Sequence, residues 1–135
     1  MTLQYSVAVR NARLDVVEST TGASAILKIR SGAPPASCAT ADSGTVLATL
    51  ALPADYMAPA SGGTKAMSGT WQDNAADAGG TAGHWRLYAN DGTTCHAQGT
   101  ITATGGGGDM TIDNVSFAAG QAFSITGFTL TAGNA

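Results

Sequence analysis

Apolar positions recur at helical spacing near the start of the chain and alternate with polar ones along most of the remainder. In "SVAVRNARLDVVE", residues 6–18, Val9, Ala12, Val16 and Val17 repeat at helical intervals, Ser6 can cap, and no Pro or Gly interrupts. The pattern predicts one helix, stopped by Gly22 in "STTGAS". The first strand follows at once in "AILKIRSG", where Leu27 and Ile29 alternate with Lys28 and Arg30, so one face is expected to be buried and the other wet. "TVLATLAL" is apolar on both faces and reads as an interior strand, with the N-terminal helix a candidate cover on one side.

Two stretches break the alternation for longer than a turn requires. "SGAPPASCATADSG" holds Pro34 and Pro35 side by side, which cannot join a central ladder, and "PADYMAPASGGT" leads into a short strand, "KAMSGTW", ending near Trp71. Long loops on a small β-domain are where partners are met, so Pro34, Pro35, Tyr56, Met57 and Trp71 are candidate contact residues.

The second half yields to register arguments. Asn90, Asp91 and Gly92 lie between two alternating runs in "HWRLYANDGTTCHAQGTI", a hairpin signal. A three-residue loop with Gly92 left-handed pairs Ala89 with Thr93. It places Trp85, Leu87, Cys95, Ala97 and Ile101 on one face and His84, Arg86, Tyr88, His96 and Gln98 on the other. The four glycines Gly105, Gly106, Gly107 and Gly108 connect two further alternating runs; a four-residue connection sets Ile101 against Ile112, Thr102 against Thr111 and Ala103 against Met110. A phosphate-binding loop needs a helix and usually a Gly-Lys-Ser/Thr next, whereas "DMTID" is a strand pattern without lysine, so the glycines are read as a turn. After Asp113 the alternation slips at Asn114 and again at Gly127, the mark of a bulge or bend, with "AAGQ" a turn between. One helix and about eight short strands predict a mainly β protein, a jelly-roll-like β-sandwich or barrel in a single domain over residues 1–135.

Composition narrows the function classes. Only 11% of the 135 residues are charged against about 25% for an average soluble protein, so Thr, Ser, Asn, Gly and Ala must cover the surface. Net charge is −3 and no Lys/Arg cluster occurs, which argues against binding nucleic acid through its phosphates. The N-terminus lacks a basic start followed by an apolar run, and no segment reaches the roughly 18 apolar residues of a membrane span, so synthesis and initial residence in the cytoplasm are expected, with no membrane partner. Cys38 and Cys95 permit one internal bridge; without a secretion signal they are read as reduced thiols.

Candidate chemistry is sparse. His84 and His96 lie diagonally on one polar face in the expected register, but that face offers no third ligand, so no metal or other cofactor is expected. No Gly-x-Ser-x-Gly elbow marks a serine nucleophile, and Cys95 and His96, as neighbours on a strand, point to opposite faces. No enzymatic activity is expected. Trp71, Trp85, Tyr56 and Tyr88 are the residues available for a sugar-stacking platform; the register turns Trp85 inward and leaves Tyr56 and Trp71 open for a glycan or protein contact.

The stretches "RNARLDVVES", "LKIRSGAPP", "GTAGHWRLYANDGTTCHAQGTI", "GGGGDMTIDN" and "GQAFSITGFTLTAG" resemble a group of small proteins encoded by tailed phages and prophages. The resemblance spans nearly the whole chain and carries no catalytic motif. It implies a virion structural protein similar to capsid decoration, or cement, proteins. Such a protein adds a jelly-roll-like domain to the outside of the head, contacts the major capsid protein, and is expected as a homo-oligomer, dimer or trimer. A tail or head-fibre module binding host glycan or protein is the alternative. A cement protein clamps neighbouring capsomers through loops or a terminal arm, which here means the two long loops and the N-terminal segment.

Overall fold

A computed structural model describes residues 2–134. The protein is mainly β; its described residues form one helix and nine strands in a curled sheet that makes a half-barrel. Helix α1 spans Val7–Thr21; Ser6 caps it by accepting from the Val9 amide, and the Gly22 amide donates to the Glu18 carbonyl at its end. The strands are β1 (Ile26–Ser31), β2 (Val46–Ala51), β3 (Thr64–Ala66), β4 (Gln72–Asp73), β5 (Gly80–Tyr88), β6 (Cys95–Ala103), β7 (Met110–Ile112), β8 (Ser116–Phe117) and β9 (Phe123–Thr131). Their order in the sheet is β2-β1-β5-β6-β7-β9-β3, with β4 added to β9 and β8 to β5. Leu27, Ile29, Leu47, Leu50, Trp85, Leu87, Ile101, Met110, Ile112 and Phe128 fill the concave side.

Strand β2 is an edge strand, contrary to the interior position that its two apolar faces suggest. Ile29 pairs with Ala48 but Arg30 pairs with Val46, so Leu47 is the extra residue of a bulge. The bulge turns consecutive Leu47 and Ala48 both inward, which reproduces the sequence signature of a doubly covered strand. Its free edge is tied instead by the segment after β4: the Asp77 amide donates to the Leu47 carbonyl and Thr49 Oγ1 to the Asp77 carboxylate. The helix lies elsewhere, against β3 and β6.

The hairpin joining β5 and β6 has a four-residue loop, not three: the Ala89 amide donates to the Thr94 carbonyl, and Gly92 is left-handed with φ 71°. Asp91 organises it by accepting from the Thr93 and Thr94 amides and the Thr94 hydroxyl. A bulge follows, because Tyr88 pairs with Cys95 while Leu87 pairs with Ala97. Each departure shifts the register by one, so Trp85, Leu87, Ala97 and Ile101 still share the inner side. Cys95, however, moves to the side of Tyr88, and Arg86 faces Gln98, not His96.

The four-glycine segment does turn the chain, yet β6 and β7 run parallel. A first reversal is closed by the Gly106 amide on the Ala103 carbonyl, and the chain then runs back beside β6, where the Gly108 amide donates to Thr102 Oγ1. At Asp109, whose carboxylate accepts from the Thr100 amide, it reverses again. All four glycines have a steric reason: Gly105 and Gly107 are left-handed, while a Cβ on Gly106 or Gly108 would lie within 3.0 Å of Thr102 atoms. The expected Thr102 to Thr111 pair is present, with Ile101 against Met110 and Ala103 against Ile112. Antiparallel and parallel registers share that central pair, so side-chain patterning cannot tell them apart.

Candidate functional site

Two surfaces stand out, and both invert an expectation. The first is built on the convex side of β1 and β5, where Lys28, Arg30, His84, Arg86 and Tyr88 project. Instead of being wet, this side is roofed by the loop over residues 32–44. Arg86 is 1% exposed and Arg30 6%. The loop's one charged residue, Asp42, joins them: its carboxylate accepts from Arg30 Nη2 at 2.8 Å, from Arg86 Nη1, and from the Tyr88 hydroxyl at 2.7 Å. Arg86 Nη2 also donates to the carbonyls of Ser37, Cys38 and Thr40 at 3.0–3.1 Å. One guanidinium thus collects three backbone acceptors of a turn that is itself closed by the Thr40 amide on the Ser37 carbonyl, which is why a loop of small residues holds one shape.

The electrostatics follow from that geometry. Burial alone raises the Asp42 carboxyl, but hydrogen bonds from Tyr88 and Arg86 and the charges of Arg30 and Arg86 outweigh it and hold the group below its ordinary range. Burial, then the bond to Asp42, pushes the Tyr88 hydroxyl up to about 12. His84 sits at the same layer with Nδ1 2.8 Å from the Gly32 carbonyl, so Nδ1 carries the proton; burial lowers its pKa and keeps the ring neutral. Gln98 Nε2 donates to the Pro35 carbonyl at 2.6 Å. Pro34 and Pro35 are therefore half-buried in a clamped loop, with Ala33, Ala36, Ala39 and Ala41 exposed around them.

The second surface is the outer side of α1. The valine stripe that marks the helix in the sequence faces outward: Val9 is 43% and Val16 57% exposed, while Leu3 before the helix and Val7 at its first position are exposed at its N-terminal end. Polar side chains dock the helix. Arg10 Nε donates to the Ala132 carbonyl, Asn11 Oδ1 accepts from the Gly63 amide, and Asp15 Oδ1 accepts from the Ala60 amide. Lys65, buried on β3, reaches Asp15 at 2.7 Å and Glu18 at 3.1 Å. Leu14 is the helix's one fully buried hydrophobic residue. Hydrogen-bonding partners for so many polar groups exist only in the folded protein, which is why the stripe misleads.

Three of the proposed contact residues lie in the core. Tyr56, Met57 and Trp71 are all at most 1% exposed. Trp71 donates its indole N–H to the Tyr56 and Ser68 carbonyls, and its ring begins a chain through Phe128 (5.7 Å) to Trp85 (5.1 Å). Large aromatics carried on a loop are drawn inward because their burial outweighs the ordering of the loop around them. A glycan platform on Tyr56 and Trp71 is thus closed. His84 and His96 do not share a site: His84 pairs across the ladder with Thr100, whereas exposed His96 at the bulge lines a groove of about 200 Å³ with Val16, Val17, Thr20 and Thr21. Among the described residues no three His, Cys, Asp or Glu side chains gather as a metal site would need. A second groove, about 510 Å³, opens between β6 and β9 over Trp85 and Phe128.

Sequence reasoning missed Asp42, Arg30 and Arg86 as a unit. A signal was present: Asp42 is the single charged residue between Arg30 and Asp55, facing two arginines of matching strand parity. No protein-family model, curated protein or solved structure matches the chain.

Proposed function

We propose that this protein is a non-enzymatic virion component, a decoration or cement module that binds the outer surface of a tailed-phage head through the major capsid protein. The observation that carries the reading is the everted helix: a surface low in charge presents Leu3, Val7, Val9 and Val16 to solvent while polar residues hold the helix down. Val9 and Val16, two turns apart on one face of the helix, are the aliphatic side chains offered there to a protein contact. The clamped loop over 32–44 adds a second, preorganised surface of small residues, which reduces the entropy lost on docking.

Magnitudes shape the proposal. Each of these half-exposed side chains contributes about 1 kcal/mol when the remainder of its surface is buried. Four such residues give weak binding per copy once association costs are met. Tight decoration therefore needs repeated contacts, from a dimer or trimer that engages several capsomers at once. Cosedimentation of the purified protein with expanded heads lacking it tests the reading. Saturable binding at a fixed copy number per head is expected; absence of binding to heads, or binding to tails or host envelopes instead, overturns it.

A further inference from the structure

Cys38 and Cys95 are far apart in sequence and come together only through the fold. Cys38 rides on the clamped loop, beside the carbonyls that Arg86 gathers, and the bulge in β6 turns Cys95 out of the core toward it. The two sulfurs lie 2.9 Å apart as free thiols, each partly exposed. Among the described residues no tie of this loop to the sheet is covalent; Asp42, Arg86 and Gln98 hold it. We propose that Cys38 and Cys95 form a modification site, an oxidisable dithiol whose disulfide fastens the loop over residues 32–44 to the sheet.

The reaction needs a low-molecular-weight disulfide, RSSR, as oxidant. One protein thiolate attacks a sulfur of RSSR, forming a mixed disulfide and releasing RS⁻; the second protein sulfur then attacks the mixed disulfide and releases the other RS⁻. The two thiol protons pass to solvent or to the released thiolates, so two protein thiols and RSSR become one protein disulfide and two RSH. The short approach of the sulfurs makes the second step intramolecular and fast, so the mixed disulfide does not persist. A reducing cytoplasm keeps the dithiol open, and an oxidising exterior closes it. This inference is independent of the capsid reading.

Incubation of the folded protein with oxidised glutathione, followed by acid quenching, denaturation and intact-mass measurement, tests it. The expected product has lost two hydrogen atoms, carries no glutathione and gives a Cys38–Cys95 cross-linked peptide on non-reducing digestion. Burial, then the Cys38 hydrogen bond, holds the Cys95 thiol at about 11, so the rate rises between neutral and mildly alkaline pH. Unreacted thiols after prolonged incubation, or a stable glutathione adduct on the wild-type protein, would overturn the proposal. Cys95→Ser is expected to stop at the adduct on Cys38; the wild-type mass result stands whether or not that variant folds. Limited proteolysis reads the fastening separately: cleavage within 32–44 slows at least tenfold on oxidation and recovers with reductant, and equal cleavage of both forms refutes the locking role.

Discussion

Replacing Asp42 with Asn keeps the shape of the side chain and removes its charge. In the wild-type protein that charge faces Arg86 and Arg30, both nearly inaccessible to water, and accepts from the Tyr88 hydroxyl. Removing one partner of a buried ion pair costs about 3–5 kcal/mol. Two features reduce the figure here: the Asp42 side chain is itself 37% exposed, and Arg86 keeps three carbonyl acceptors. We therefore expect Asp42→Asn to lose about 2–3 kcal/mol, which for a chain of this size lowers Tm by about 8–12 °C. Circular dichroism melts across pH give the second half of the test. The folded-state pKa of Asp42 is depressed, so its contribution is fully present above the unfolded Asp value of about 3.9 and is lost as pH falls through the folded value. The gap between wild type and variant should be constant from pH 7 to pH 5 and narrow below about pH 4. A variant within about 0.5 kcal/mol of wild type, or a gap unchanged between pH 5 and pH 3, would refute the clamp.

Other expectations concern the remaining elements. Gly106→Ala forces a Cβ to within 3.0 Å of Thr102 and the Ala103 carbonyl and should cost about 1–3 kcal/mol in urea unfolding, whereas Gly133→Ala, with nothing within 4 Å, should be neutral. Lys65→Met removes the cation that holds Asp15 and Glu18, so hydrogen exchange of α1 amides should accelerate by about tenfold while the core strands keep their protection. Ultraviolet titration should show one tyrosine, assigned by Tyr88→Phe, ionising near 12; its neutral form is favoured by folding, so stability falls as pH rises from the unfolded value of about 10 toward 12. Val9→Gln/Val16→Gln should leave Tm nearly unchanged, because both side chains are solvent-facing, yet reduce head binding in cosedimentation at least tenfold.

Local features of the fold were legible where a few neighbouring residues decide them. Ser6 and Gly22 delimit α1, although its last turn runs to Thr21, and Gly92 marks the hairpin through its left-handed φ. The inward parity of Trp85, Leu87 and Ile101 held because the core rewards it at every second position. What the pattern hid depends on partners distant in sequence. Which side of α1 faces inward is decided by Lys65 and by amides near residues 60–63; the polar side of β5 is buried because Asp42 arrives from a loop more than forty residues earlier. The parallel course of β7 was invisible since both directions pair Thr102 with Thr111. Of the proposed contact residues, Pro34 and Pro35 remain on the candidate surface, while Tyr56, Met57 and Trp71 had to be core because a half-barrel this small needs large aromatics to fill it.

Cryo-electron microscopy of expanded heads saturated with the protein tests the central proposal most directly. The account predicts density for one domain per symmetry-related site, with Val9 and Val16 of α1 and the loop over 32–44 turned onto the capsid shell. Decorated heads in which those two surfaces face solvent and another part of the half-barrel meets the shell would contradict it.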